Sequence, residues 1–405
     1  RAIAGEPGGI LLLSWRSILC EERVSALHNG RSYPRGVRDA RSEFERDYGR
    51  LLFSAPVRRL SAKAQVFPLE PNDFVRTRLT HSLEVSNVAR DLAWQVGRKL
   101  IERSAPGLSL EDVAQMAVIS ATCGLIHDLG NPPFGHAGEL AIGTWFKGKA
   151  QSDPRIREYS ENSRADAADF GEFEGNALTF RIVTRLQPPV DAHSLDLTCG
   201  TLCALGKYLG AATDVGKKEW HEFSKPGFFR SEADLFRLVR ERTQTVDVRN
   251  PLTYLIEAAD DIVYCTVDIE DSVRKGVVTW TEVERQLSAD AYGAELFHAA
   301  IGRAREIAGT AAPSTRAEQQ EFATAFRTAA IGEIVPAVID AFLERYPEIM
   351  NGEYHGEIVL DEACRGRQLI RAAKQFLRRT VYKSPAVLGL EILGRRVIHE
   401  LLDLF

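Results

Sequence analysis

Apolar residues recur every three to four positions along most of the chain, and strictly alternating apolar and polar runs are few, so the pattern predicts an all-α fold. Leu79, Leu83, Val88, Leu92 and Val96 mark one amphipathic helix, with His81 near its start and aimed inward. Met116 to Ile126 is apolar enough to be a buried helix. Another largely apolar helix opens at Pro251, a residue suited to a first helical turn, and Asp260, Tyr264 and Asp268 repeat along it at i, i+4 and i+8. A carboxylate stripe on such a helix should face a polar cavity, because an unpartnered charge in apolar core is costly.

Breaks in the periodicity divide the chain. Residues 1–35, opening on Arg1 rather than Met, read as an N-terminal extension with partial disorder. A core spans 36–308, and the stretch GTAAPSTR, Gly309 to Arg316, breaks two helices and separates a C-terminal helical part, 309–405, that packs on the core or on a neighbouring subunit. Lys147 to Glu172 is polar and weakly periodic, so it reads as a mobile insertion. Ala211 to Phe229 reads as a loop that carries Lys225. The last helix is amphipathic, and its Val397, Leu401, Leu402 and Phe405 need a partner.

Composition narrows the class. The chain has 405 residues, 44% hydrophobic and 26% charged, ordinary for a soluble enzyme with a large core. No segment approaches the ~18 consecutive apolar residues of a membrane span. ILLLSW, Ile10 to Trp15, is too short for a secretory core. Six scattered cysteines do not make a disulfide framework, and Cys199 and Cys203 read as two thiols on adjacent turns, which points to a reducing compartment, the cytoplasm. A net charge of −5 argues against a protein whose main task is coating nucleic acid. The arginine clusters at 155–164 and 365–379 read first as solvated faces or subunit contacts.

The densest chemistry lies in HDLGNPPFGHAGE, His127 to Glu139. His127 and Asp128 arrive at the end of the buried Met116 to Ile126 helix, where neighbours about 100° apart can both reach one ion. Gly130, Asn131, Pro132, Pro133 and Gly135 then force an irregular loop. His136 and Glu139, three apart, share a face if a helix restarts there. A lone His-Asp pair is weak evidence for a metal, but His81 and Asp260 on other helices complete a set of two imidazoles and two carboxylates. Such a set suits Mn²⁺, Fe²⁺, Co²⁺ or Zn²⁺, while Mg²⁺ would bind chiefly through phosphate oxygens and water.

His81, His127, Asp128 and Asp260 in that order are the signature of the HD superfamily of metal-dependent phosphohydrolases. More narrowly, SEFERDYGRLLFSAPVRRLSAKAQVFPLE, RTRLTHSLEVS, HDLGNPPFGHAGE, FEGNALTFRI, GKYLG, KPGFF and YLIEAADDIVY resemble the deoxyguanosine triphosphate triphosphohydrolase (dGTPase) family over about residues 40 to 285. The resemblance implies an HD-domain helical core with additional C-terminal helices. It makes His81, His127, Asp128 and Asp260 the ligands of one divalent metal ion, Mn²⁺ or Mg²⁺ first, with Asp261 the less favoured of the Asp pair. His136 and Glu139 match its catalytic histidine and partnering glutamate. Arg58, Gln65, Asn176, Lys207, Tyr208, Lys225, Tyr264 and Asp268 fall where it places substrate contacts. Leu178 and Leu209 depart from its usual glutamine and proline.

The implied reaction is hydrolysis of a deoxynucleoside triphosphate, dGTP first, to deoxynucleoside and inorganic triphosphate by water attack at the α-phosphorus. Histidine serves as acid or base near neutral pH, so the role of His136 stays open at this stage. On residue type alone Lys207 and Lys225 read as solvated, Tyr264 as a core tyrosine and Glu84 as a surface residue. The resemblance also implies a homo-oligomer, a hexamer in the fullest form, regulation by single-stranded DNA bound away from catalysis, and no membrane partner. A nucleotide-responsive regulator on the same scaffold, without turnover, is the alternative from another class.

Overall fold

The computed structural model describes residues 13–29, 40–105, 107–187, 194–291 and 294–405. Much of the expected N-terminal extension, 1–12 and 30–35, lies outside the described residues. Among those described, helices make the architecture, and extended pairing is confined to isolated bridges such as Arg23 with Thr198 and Ala64 with Thr77. The fold is all-α.

Its axis is the helix Pro251–Lys275. Asn250 caps its start by accepting from Leu252 N, Pro251 occupies the first turn, and Gly276 ends it in the left-handed region at φ 80°. Almost every side chain on it is buried, so it needs partners on all sides. Those partners are the helices Arg78–Glu102, Leu110–Ile126, Arg316–Glu344 and Arg367–Phe376. The first two pack along their lengths, with Gly97 leaving room for Val113.

Two apolar cores result. The larger joins the axial helix to Val85, Leu92, Phe322, Phe326, Phe342 and Phe376, and the smaller gathers Leu51, Leu60, Leu125, Ile126, Leu129, Phe180 and Leu202. His127 and Asp128 interrupt the run Leu125 to Leu129 in the smaller core, and Asp260 interrupts Ala259 to Ile262 in the larger. Polar residues are thereby held at the seam.

One expectation changes. Lys147 to Glu172 is helical: Gly135–Ser152 runs through its start, and Pro154–Asn162 and Arg164–Gly171 follow. Pro154–Asn162 buries no side chain, which is why it leaves no apolar period in the sequence. The break at Gly309 is a reversal between the helices Glu295–Ala308 and Arg316–Glu344, which pack on each other. Arg316–Glu344 is long and apolar enough to cross a membrane by composition, but its apolar positions are taken up against the axial helix and Glu295–Ala308. The C-terminal helix Pro385–Leu404 packs on Gly135–Ser152, with Trp145 and Lys149 both reaching Asp403. Leu388, Ile392, Leu393, Val397, Leu401 and Leu404 on it stay exposed.

Candidate metal centre and its flanking cavities

His81 sits one turn into the helix Arg78–Glu102, which Thr77 and Thr80 cap reciprocally. His127 ends the helix Leu110–Ile126, and Asp260 lies midway along Pro251–Lys275. Helix packing brings them together: His81 Nε2 is 3.0 Å from Asp260 Oδ1, and His127 Nε2 is 3.4 Å from Asp260 Oδ1 and 3.6 Å from Asp128 Oδ1. His81, His127 and Asp128 offer donor atoms within 4.8 Å of one another.

The supporting contacts fit these side chains for a cation. His127 Nδ1 lies 2.8 Å from Gly124 O, so it donates there and turns Nε2, the atom from which a bound cation would displace the proton, toward the cluster. That Nε2 is buried with no hydrogen-bond partner. Asp128 is oriented from both sides, by Arg78 Nη1 at 2.5 Å on Oδ2 and by Asn131 Nδ2 on Oδ1. Burial opposes a charged His127, yet the carboxylates of Asp128 and Asp260 outweigh it and raise its pKa to about 9. Against its own burial, the charge of His127 and the hydrogen bonds of His127 and His81 hold Asp260 well below the usual carboxylate range. The cluster thus draws positive charge inward, and two nitrogens with two carboxylates suit a borderline divalent ion.

The loop after Asp128 is shaped by close approach. A side chain at Gly130 would collide with Gly175 O and Thr179, and one at Gly175 with Asn131 and Glu139, so the FEGNA turn and the metal loop interlock through glycines. Phe134 adopts φ 67°, a conformation costly for an aromatic residue, and the helix restarts at Gly135. His136 and Glu139 are on this helix, but Glu139 Oε1 accepts from Gly175 N at 2.8 Å, and among the described residues no hydrogen bond joins Glu139 to His136. Burial and the neighbouring Glu174 raise the Glu139 carboxyl to about 7. Burial and Lys225 lower His136.

Two cavities flank the cluster and share Asp128, Asn131, His136, Lys207, Glu257 and Asp260 as a common wall. The smaller, about 130 Å³, holds Asn176, Tyr208 and Lys225. Its lysines are already paired, Lys225 with Glu174 at 2.9 Å and Lys207 with Glu257 at 3.2 Å. The larger, about 570 Å³, holds Gln65, Tyr264 and Asp268. Tyr382 donates to Asp268 Oδ2 at 2.6 Å, and burial raises the Asp268 carboxyl to about 7 despite that bond.

Arg58 is the one substrate residue among those inferred from sequence that neither cavity includes. It lies on the short helix Ala55–Arg59, exposed, and donates to Phe53 O at 2.6 Å. Asp261 pairs with Lys374 at 2.9 Å and stands apart from the histidines, while Glu84 is bonded to Arg76. Leu209 packs in the smaller core. Arg78, Lys374, Arg378, Tyr382 and Glu391 line the larger cavity without having been singled out from the sequence. Lys374 and Arg378 belong to the arginine-rich stretch read as a solvated face, where an i, i+4 pair of cations was the available signal.

An all-helical core with His, His-Asp and Asp at one point defines an HD-domain protein, and the HD domain family model matches residues 78–185. A deoxyguanosinetriphosphate triphosphohydrolase-like protein of Listeria monocytogenes is 35% identical over 378 residues, 91% of this chain and 78% of the relative. One from Synechocystis is 34% identical over 410 residues, 97% of this chain and 86% of the relative. A deoxyguanosinetriphosphate triphosphohydrolase of Enterobacter is 35% identical over 392 residues, covering 89% and 76%. The chain belongs to the deoxyguanosinetriphosphate triphosphohydrolase family within the HD-domain hydrolases.

Proposed function

We propose that this protein hydrolyses deoxynucleoside triphosphates, dGTP first among them, to deoxynucleoside and inorganic triphosphate. The observation that carries the reading is the shared wall: the His81, His127, Asp128 and Asp260 cluster stands between a small cavity with Lys207 and Lys225 and a larger one with Gln65, Tyr264 and Asp268 beside Arg78, Lys374 and Arg378. A bound Mn²⁺ or Mg²⁺ would supply Lewis acidity toward a phosphoryl oxygen and make a nearby water more acidic.

Asn176, Lys207, Tyr208 and Lys225 hold the triphosphate on the small side. Substrate must compete there with Glu174 and Glu257, and each lysine it wins stabilises charge as the bond to the 5′ oxygen breaks. The nucleoside occupies the large cavity. Gln65 Oε1 and Asp268 Oδ1 are buried acceptors with no partner, which suits a sugar hydroxyl as donor. Tyr264 packs against C2′ and leaves no room for a ribose hydroxyl. Glu391 on the same cavity wall can accept from the N1–H and exocyclic amine of guanine, an edge that adenine does not offer.

His136 lines both cavities, where the scissile bond would lie. Desolvation and Lys225 lower its pKa, and in this scheme it takes up a proton when triphosphate neutralises that lysine, then passes it to the departing 5′ oxygen. In this scheme Glu139 acts by holding the Gly175 turn beside His136. The exposed apolar face of the C-terminal helix supports assembly into a homo-oligomer.

Incubating the protein with Mn²⁺ or Mg²⁺ and each dNTP or GTP, and resolving the products, tests the reaction. Deoxynucleoside with intact triphosphate is expected, and nucleoside monophosphate or free phosphate would refute departure of the 5′ oxygen from the α-phosphorus. No turnover, with or without single-stranded DNA, would favour the regulator. A kcat that falls at high pH marks His136 as acid, and one that falls at low pH marks it as base.

A further inference from the structure

The loop presenting Asp128 has little backbone bonding of its own beyond Leu129 N to Ile126 O and Asn131 N to Asp128 O. Its carbonyls at Leu129 and Asn131 turn instead toward one side chain. Lys63 Nζ donates to Leu129 O at 3.1 Å and to Asn131 O at 2.6 Å. Lys63 lies just before the cavity residues Ala64, Gln65 and Val66, and its ammonium is drawn away from solvent to make these bonds. A surface lysine with no task would gain nothing by desolvating its charge in this way.

The backbone of Lys63 is tied to a second ligand-bearing element. Its carbonyl accepts from Arg78 N at 2.9 Å, and Ala64 bridges to Thr77, at the start of the His81 helix. Arg78 and Asn131 are the two residues whose side chains grip the two oxygens of Asp128. Both grips on that carboxylate therefore rest on segments that Lys63 holds, one through its backbone and one through its ammonium.

We infer that Lys63 is a positioning residue for the metal: it clamps the 129–131 loop to its own segment and, through it, to the start of the His81 helix, and so fixes Asp128 at the ion. The inference rests on the metal reading proposed above. Loss of such an outer contact weakens metal affinity by about 10–100-fold in comparable sites.

The test is calorimetric titration of chelator-treated protein with Mn²⁺, without substrate, for wild type, Lys63→Met and Lys63→Arg. Wild type should bind one Mn²⁺ per chain, Lys63→Met about 10–100-fold more weakly, and Lys63→Arg close to wild type because its donors are retained. The metal-free Tm should hardly move, while the rise in Tm on adding Mn²⁺ shrinks in Lys63→Met. Equal Mn²⁺ affinity in Lys63→Met and wild type would overturn the clamp and leave the metal reading intact. Absence of binding by wild type would overturn both. Should Lys63→Met not fold, Lys63→Gln, too short to span both carbonyls, replaces it under the same criterion.

Discussion

The candidate metal cluster and the His136 and Glu139 pocket beside it are built on different principles. His81, His127 and Asp260 sit in or at the end of long helices whose other residues fill the two apolar cores, so their geometry follows from packing. His136, Glu139, Glu174 and Lys225 come from a helix restart, a glycine turn and the Ala211 to Phe229 segment, and are held by one ion pair, Lys225 with Glu174, and by the Gly175 N–H on Glu139. The first arrangement is set before substrate arrives. The second must exchange partners when substrate enters, because its lysines are spoken for by Glu174 and Glu257.

Asp260→Asn separates the two regions most sharply. It should lower turnover by roughly 10³-fold or more and abolish measurable Mn²⁺ binding, since it removes the charge nearest both histidines. His136→Asn should cost roughly 10²–10⁴ in kcat while Mn²⁺ affinity measured by calorimetry stays at the wild-type value. If affinity fell in step with kcat, the two regions would be one unit and the contrast would fail. Lys225→Met should reduce kcat/KM by about 10–100-fold, mostly through KM, the loss expected of a charge-assisted contact. Tyr264→Ala should raise the GTP to dGTP ratio of kcat/KM by about tenfold, and an unchanged ratio would remove the tyrosine from sugar selection.

The smallest effect concerns stability. The folded-state pKa of Glu139 is raised from an ordinary 4.5 to about 7, mainly by burial and then by Glu174. A carboxyl shifted upward favours the folded state below its unfolded pKa, and that contribution is lost as pH rises through the folded value. Glu139→Gln cannot ionise. Its Tm relative to wild type should therefore climb between about pH 4.5 and 7 and level off above, as followed by thermal melts at constant ionic strength.

Much of the metal cluster was legible because its ligands occupy positions where local rules hold: the end of an apolar helix, the start of an amphipathic one, and a carboxylate stripe opened by a proline. The axial helix likewise announces itself through Pro251 and its apolar run. Residues 147–172 did not, since a helix that buries nothing has no apolar period to read. Lys374 and Tyr382 were hidden for a different reason: they reach the cavity only because the helix Arg367–Phe376 folds back on the axial helix, and no short-range pattern encodes that return. Arg58 shows the converse. Gln65, farther along the same segment, faces the cavity, but Arg58 sits on the short helix Ala55–Arg59 with its guanidinium turned outward to Phe53 O.

The strained Phe134 is sheltered from far along the chain. Its ring lies against Gly394 so closely that any added β-carbon there would overlap it, and Val387 and Glu391 of the same C-terminal helix line the large cavity. During synthesis the ribosome needs on the order of tens of seconds to pass from one of these residues to the other. The nascent chain can lay down the helices that carry His81, His127 and Asp260 in that interval, yet Phe134 stays uncovered and the large cavity lacks a wall until the helix Pro385–Leu404 docks. The cover over Phe134 and the closing wall of the large cavity thereby arrive together, with one helix made long after the loop it shelters.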